Sequence, residues 1–127
     1  MFNSVAALTN TNKIAYRISN VSPWKEIVLP DGFYDIKSFN SYIKLQLAVN
    51  GDVSDNIEMI TAVFGPKFQI TLKGGYELDL QDSRSKLNRI FGFDSQILSG
   101  AAVHYGEHGG NVVSYDCRGV TTLFIKK

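Results

Sequence analysis

The stretch Leu29-Pro30-Asp31-Gly32-Phe33-Tyr34-Asp35-Ile36-Lys37-Ser38-Phe39 decides the fold, because it predicts a strand, a turn and a helix in succession. Pro30 cannot donate a hydrogen bond to a sheet, so the preceding strand ends there and Asp31-Gly32 completes the turn. Asp35 can cap a helix with its side-chain oxygen. The apolar residues that follow recur at helical spacing: Ile36, Phe39, Ile43 and Leu47. This pattern predicts an amphipathic helix over about residues 35–49.

Strand patterns flank this stretch on both sides. Apolar residues alternate from Ile14 to Ile18, and a second strand is predicted from Trp24 to Leu29. Two alternating runs surround Gly74-Gly75, which is typical of a β-hairpin. A second short helix is predicted over about residues 83–91, with Asp82 or Ser83 as its cap. The other predicted strands cover residues 57–64, 111–117 and 120–125.

The spacing of these elements favours a mainly β fold. About seven strands are joined mostly by turns, whereas a doubly wound parallel sheet would need a helix after nearly every strand. We therefore expect an antiparallel β-sandwich or a jelly-roll-like barrel, with helices inserted at about residues 35–49 and 83–91. We expect residues 1–12 to form a flexible N-terminal arm or a frayed end. We expect residues 13–127 to form a single β-sandwich domain.

Composition excludes several classes of function. The chain has 13 basic and 12 acidic residues and a net charge of +1, so it carries no strong field toward nucleic acid or an anionic membrane. No segment has membrane-spanning length and the start lacks a signal-peptide pattern, so we expect synthesis in a cytoplasm and no membrane partner. Cys117, the one cysteine, cannot form an intramolecular disulfide and is interpreted as a buried strand residue rather than a catalytic thiol.

The segment His104-Tyr105-Gly106-Glu107-His108 matches the H-x-x-E-H spacing of inverted zinc peptidases. That chemistry needs a helix that projects both imidazoles toward one metal, but the glycines around the motif oppose a helix. The alternatives are a surface loop that holds two histidines, or an adventitious or interface metal site. Whether this loop binds metal stays open, and no cofactor is predicted because phosphate-binding glycine motifs are absent from the sequence.

Two further groups of residues suggest binding. Ser83–Arg89 places three basic residues on the second predicted helix, where a nucleic-acid contact is possible. We favour a solvated helix face, because aromatic residues are not interleaved with basic ones as in single-strand binders. Loop aromatics and histidines suggest a carbohydrate site, since such rings can stack on a sugar. The candidate ligand-binding residues are Trp24, His104, Tyr105 and His108.

Three segments resemble a known family. Residues 28–40 resemble an I-x-P-x-G-x-Y-x-I-x-x-h-N segment, residues 87–93 an L-x-x-L-L-G-F segment, and residues 111–117 an N-h-x-x-h-x-h-x-C strand. Together they are similar to small β-rich proteins of adintovirus and polinton-like elements, over most of the chain from Trp24 onward. The family pattern continues past the cysteine-bearing strand, so the resemblance implies a shorter relative or a first domain.

The resemblance implies a minor structural role in a virion, because such proteins are encoded beside capsid genes. We expect a protein made in the host cytoplasm or nucleus that assembles as a homo-oligomer or docks onto other capsid proteins. No catalytic residue is carried over, and we expect no enzymatic activity. The alternatives are a carbohydrate- or receptor-binding β-sandwich and, third, a zinc hydrolase that uses the loop from His104 to His108.

Overall fold

Strands and two helices make up the regular structure of the computed structural model, which describes residues 8–61, 67–110, 114–115 and 121–127. The helices are α1 (Ile36–Val49) and α2 (Leu87–Phe91), and a 3₁₀ turn (Ser54–Asn56) precedes β4. The strands are β1 (Lys13–Arg17), β2 (Lys25–Val28), β3 (Gly32–Asp35), β4 (Ile57–Thr61), β5 (Phe68–Leu72), β6 (Glu77–Leu80), β7 (Gln96–Leu98), β8 (Val103–Tyr105), β9 (Ser114–Tyr115) and β10 (Thr121–Ile125). The prediction of a mainly β protein with two helices is confirmed, while Cys117 lies outside the described residues.

Antiparallel pairing joins the described strands into three sheets. Sheet A has the order β2-β1-β6-β7, sheet B the order β3-β10-β9, and sheet C the order β4-β5-β8. Every pairing in these sheets is antiparallel, as the sequence predicted. Buried side chains from all three sheets and from both helices belong to one hydrophobic cluster.

Helix α1 forms where the sequence predicted it, for the predicted reason. The Asp35 side chain accepts a hydrogen bond of 2.6 Å from the backbone N–H of Ser38, and this bond lowers the pKa of Asp35. The apolar stripe buries Phe39, Ile43 and Leu47. Phe39 meets Phe91 of α2 edge to face, with ring centroids 5.1 Å apart, so the two helices share one part of the core.

The segment between Pro30 and α1 differs from the prediction. Gly32–Asp35 was expected to complete a turn and enter the helix, but it forms β3 and pairs with β10 in the register Phe33 to Phe124. The turn is therefore confined to Pro30 and Asp31. Nothing local could predict this pairing, because the partner strand lies near the other end of the chain.

The predicted hairpin around Gly74-Gly75 is wrong. The turn itself forms, with positive φ at both glycines and a hydrogen bond from the Tyr76 N–H to the Lys73 carbonyl. However, β5 pairs with β4 and β8, whereas β6 pairs with β1 and β7. The turn carries the chain from sheet C to sheet A, so two alternating strands around a glycine pair do not become partners here.

Helix α2 begins later than predicted. Residues 83–86 form turns and Leu87–Phe91 the helix, without a capping hydrogen bond from a side chain at its start. Neither Asp82 nor Ser83 caps it; instead Ser85 Oγ accepts from the Leu87 N–H and donates to the Lys13 carbonyl. The predicted end at Gly92 is correct, since this glycine has a φ of 75°.

The described end of the predicted N-terminal arm packs against the domain. Thr11 and Asn12 are buried, and the Leu29 N–H donates to the Asn12 carbonyl at 2.7 Å. Thr11 also pairs with Lys126 through both backbone and side chain. Residues 1–7 of the predicted arm lie outside the described part of the chain. Neither described helix has the length and apolar character needed to cross a bilayer.

Candidate functional site

The four predicted binding residues do not form one site. Trp24 lies just before β2, and the Arg17 guanidinium covers its ring at 4.4 Å from the centroid. His104 and Tyr105 are successive residues of β8, so their side chains point to opposite faces of sheet C. His108 follows that strand and lines a depression that Trp24 does not border.

The predicted H-x-x-E-H motif spans a strand and a bend rather than a helix. His104 Nε2 lies 3.0 Å from the Gly100 carbonyl oxygen, and His108 Nε2 lies 2.9 Å from Asp94 Oδ1. Glu107 accepts hydrogen bonds from the Asp94 N–H and from Gln96. The structure therefore lacks the helix that the peptidase hypothesis requires, as the glycines around the motif predicted. Within the described ranges, no three His, Cys, Asp or Glu residues are grouped so that they could hold a metal ion.

An open depression of about 510 Å³ lies beside Trp24 on sheet A. Arg84 crosses it and pairs with Glu26 and Asp79, each at 3.3 Å. The second oxygen of the buried Asp79 carboxylate accepts from the Gln81 N–H. These internal partners occupy Arg84, Glu26 and Asp79 and leave few groups free for a ligand. The basic residues of the segment from Ser83 to Arg89 do not share one helix face, because Arg84 and Lys86 precede α2 and Arg84 is paired with acidic side chains.

A second depression, of about 360 Å³, lies between α2 and β7. The Asp82 N–H donates to Ser95 Oγ at 2.9 Å, which joins the turn before α2 to the start of β7. His108 closes the other side, because its backbone N–H donates to the Gly92 carbonyl at 2.8 Å. Hydrogen bonds between lining residues thus hold the elements around this depression together.

Asp82 and Asn88 line this depression, but the Oδ1 atom of each is buried away from it and is without a hydrogen-bond partner of good geometry. Asn88 is only 3 % exposed, and its Nδ2 donates to the Phe93 carbonyl at 3.1 Å, which fixes the orientation of the amide. Burial alone would raise the pKa of Asp82, but hydrogen bonds from Arg89 and Asn88 and the charge of Lys86 lower it. The Asn88 amide therefore lies near the Asp82 carboxylate.

Sequence reasoning missed this pair. It gave Asp82 a capping role and Asn88 none. A signal was present, because an asparagine between Leu87 and the apolar Ile90 and Phe91 is an unfavourable helix residue unless its amide has a specific use.

A buried polar cluster lies elsewhere, at the end of α1. The Tyr16 hydroxyl donates to Asp52 Oδ2 at 2.6 Å and accepts from Asn50 Nδ2, while Lys25 contacts the same carboxylate oxygen at 2.7 Å. Burial, followed by the hydrogen bond to Asp52, raises the pKa of Tyr16 to about 12. Tyr16 is fully buried, so this cluster links β1, β2 and the loop after α1 rather than facing a ligand.

Apolar side chains are exposed on two of the sheets. On sheet B, Phe33 is 67 % exposed and its ring lies 4.8 Å from that of Phe124, centroid to centroid. On sheet C, Ile60 and Tyr105 flank Gln69 in one cross-strand row, and both are largely exposed. The opposite face of this sheet is buried at Met59 and Ile70, so Ile60 and Tyr105 mark its outer face.

Comparison of the chain with protein-family models, with curated proteins and with solved structures finds no match.

Proposed function

We propose that the protein is a non-catalytic structural component of a virion, which acts through self-assembly and docking onto other capsid proteins. The observation that carries this proposal is the exposed ring of Phe33, which packs on the partly buried ring of Phe124 on sheet B. Exposed aromatic side chains are enriched at protein–protein interfaces because they bury much apolar area when a partner covers them. We commit to a second copy of this chain as the partner.

The position of Phe33 favours such a contact. Phe33 belongs to β3, which pairs with β10 on one side and forms the edge of sheet B in the described chain. An edge strand presents unpaired N–H and C=O groups, and these can pair with a strand of another molecule. Backbone pairing along β3 and burial of the Phe33 ring would then both stabilise the same contact between two copies.

A second exposed face suits a protein that contacts more than one neighbour. Ile60, Val103 and Tyr105 are 44 %, 43 % and 62 % exposed on sheet C, a different sheet from that of Phe33. An assembly that extends beyond a dimer needs at least two separate contact surfaces on each copy.

The charge balance also favours association. With 13 basic and 12 acidic side chains, the net charge of +1 produces little repulsion between copies. A near-neutral surface promotes association at working pH.

The same proposal includes the finer architecture, a β-sandwich of jelly-roll type. It is supported by the single hydrophobic cluster, to which sheets A, B and C all contribute buried residues. Stacked sheets that share one core are the arrangement of capsid jelly rolls.

The test is the mass of the full chain in solution as a function of concentration. We expect oligomers, and Phe33→Ser should weaken their association by about tenfold or more, because one aromatic burial is lost. Val21→Ser is the matched control: Val21 is 89 % exposed in a turn, and its loss should leave the oligomer unchanged. A monomer that persists to about 1 mM, where even weak contacts are populated, would overturn the proposal.

A further inference from the structure

We infer that Asn50 is a site of spontaneous deamidation, and that the Tyr16 hydroxyl protects it while the chain is folded. Asn50 is followed by Gly51, and this is the one Asn-Gly sequence in the chain. Both residues are exposed at the end of α1, so water can reach them. The inference is independent of the assembly proposal, because neither residue belongs to sheet B or sheet C.

The reaction needs only the chain and water. The Gly51 backbone nitrogen attacks Asn50 Cγ, so a bond forms between these two atoms. The bond from Cγ to Nδ2 breaks, and Nδ2 leaves as ammonia with the proton of the Gly51 nitrogen. Water then opens the cyclic imide at one of its two carbonyl carbons, which gives an aspartate or an isoaspartate. Glycine favours the attack because it has no Cβ to hinder the approach of its nitrogen.

In the folded chain both reacting groups are engaged elsewhere. The Gly51 N–H donates to the Ala48 carbonyl at 3.0 Å. The Asn50 Nδ2 donates to the Tyr16 hydroxyl at 2.9 Å, which holds the side-chain amide toward β1. The attack needs the Gly51 nitrogen released and the Asn50 amide rotated, so the end of α1 must open before the reaction can start.

Tyr16 is suited to hold this amide because its hydroxyl is itself fixed. The residue is fully buried, and the hydroxyl donates to Asp52 Oδ2 at 2.6 Å while its oxygen accepts from Asn50. A fixed acceptor restrains the amide, whereas a water molecule in its place would move with it. Tyr16→Phe removes this acceptor and no backbone hydrogen bond.

The product of deamidation would disturb the same group of side chains. A carboxylate at position 50 cannot donate to the Tyr16 hydroxyl, and it would compete with Asp52 for the single hydroxyl proton. It would also place a negative charge at the C-terminal end of α1, which the helix dipole disfavours and where the last turn has no basic residue. Lys25, 2.7 Å from Asp52, offsets only part of the added charge.

The experiment follows deamidation of each asparagine in the full chain by peptide mass spectrometry. The chain is incubated folded in buffer and unfolded in urea, at the same neutral pH and temperature. We expect Asn50 to react about tenfold more slowly or slower still when folded, because the attack then requires local opening. Asn20 is the internal control, since it is exposed but followed by Val21, whose branched side chain hinders the attack.

Two variants separate protection by Tyr16 from stability in general. Tyr16→Phe should speed the reaction of Asn50 in the folded chain by about tenfold, because opening no longer breaks this hydrogen bond. Thr11→Val is the matched control, since it removes a buried hydroxyl that contacts Lys126 rather than Asn50. Its rate should stay within a factor of about two of the wild type, because local opening does not involve this junction.

The variant Asn50→Asp makes the deamidated side chain directly. Its urea midpoint should lie below that of the wild type. Asn20→Asp makes the same change in an exposed turn and should leave the midpoint unchanged. Equal midpoints for Asn50→Asp and the wild type would contradict the expected effect of the product on Tyr16 and Asp52.

Three further outcomes would overturn the inference. One is equal deamidation of Asn50 in the folded and the unfolded chain, which would show that the fold gives no protection. Another is a rate in Tyr16→Phe no higher than in Thr11→Val, which would show that the hydroxyl has no protective role. The third is an intact Asn50 even in urea, which would exclude the site.

Discussion

The hydroxyl of Tyr16 illustrates how one buried polar atom connects separate parts of the chain. It lies in β1, donates to Asp52 in the loop after α1, and accepts from Asn50 at the end of that helix. The Asp52 side chain is only 8 % exposed and keeps its charge because Lys25 and Tyr16 both hydrogen-bond to it. Removing either donor would leave the buried Asp52 carboxylate with fewer hydrogen bonds to offset the cost of burying its charge.

We therefore predict that Tyr16→Phe lowers the free energy of unfolding by about 2 kcal/mol, the usual value for a hydrogen bond to a charged group. Urea denaturation measures this change. Tyr105→Phe is the control: its side chain is 62 % exposed, so its loss of a hydroxyl should have almost no effect. Equal stability of the two variants would show that the Tyr16 hydroxyl is not needed.

The raised pKa of Tyr16 predicts loss of stability in alkali. In the unfolded chain this phenol ionises near its ordinary value of 10.0, whereas in the folded chain it ionises at about 12. The stabilisation is complete below pH 10 and is lost as the pH rises toward 12, up to about 3 kcal/mol. Urea midpoints measured from neutral to strongly alkaline pH should fall more steeply for the wild type than for Tyr16→Phe. Parallel curves would contradict this prediction.

Individual site residues were hard to predict for a physical reason. His104, Glu107 and His108 share a spacing that has meaning only on a helix, and the structure places them on a strand and a bend. Asp82 and Asn88 have no distinctive spacing at all, and what distinguishes them is a buried Oδ1 atom on each side chain. Burial of single polar atoms depends on tertiary packing, which a sequence pattern does not describe.

Among the elements, two glycines show how surroundings change the effect of the same substitution. Gly51 and Gly92 both have positive φ, at 81° and 75°. A Cβ at Gly51 would meet no atom within 4 Å, whereas one at Gly92 would overlap the carbonyl oxygen of His108. At Gly51 a side chain is disfavoured by the backbone conformation alone. At Gly92 it is disfavoured both by the backbone conformation and by the lack of space for a Cβ atom.

We predict that Gly51→Ala lowers the free energy of unfolding by about 1 kcal/mol, and that Gly92→Ala lowers it by about 3 kcal/mol or more. Thermal and urea unfolding of both variants measure the difference. If the two substitutions had equal effects, the close approach of Gly92 to His108 would not exist in solution.

Elements that depend on local signals were predicted well, and pairings between distant strands were not. The cap at Asp35 and the stop at Gly92 involve neighbours within one helical turn, so the sequence contains the whole signal. The strands on either side of Gly74-Gly75 were correctly recognised, but their partners were wrong. The choice of partner depends on which faces become buried together, and alternation alone fits several choices.

At the scale of the whole molecule, Thr11 joins the two ends of the described chain. Its N–H and hydroxyl both donate to the Lys126 carbonyl, its hydroxyl accepts from the Lys126 N–H, and it is fully buried. We predict that Thr11→Val, which keeps the shape but removes the hydroxyl, lowers the free energy of unfolding by about 1–2 kcal/mol. Thr9→Val, on an exposed residue, should have little effect in the same urea experiment. If Thr11→Val left the free energy of unfolding unchanged, backbone hydrogen bonds alone would be enough to hold Thr11 and Lys126 together.

The hydrogen bonds between Thr11 and Lys126 join residues 115 positions apart in the sequence. The pairing of β3 with β10 likewise joins two distant segments of the chain. Contacts between residues so far apart in sequence slow folding, because the chain loses the entropy of closing a long loop before these contacts can stabilise it. A nascent chain on the ribosome cannot complete sheet B until β10 has emerged. Until then the aromatic edge at Phe33 lacks its intramolecular partner strand and stays open to pairing with other chains.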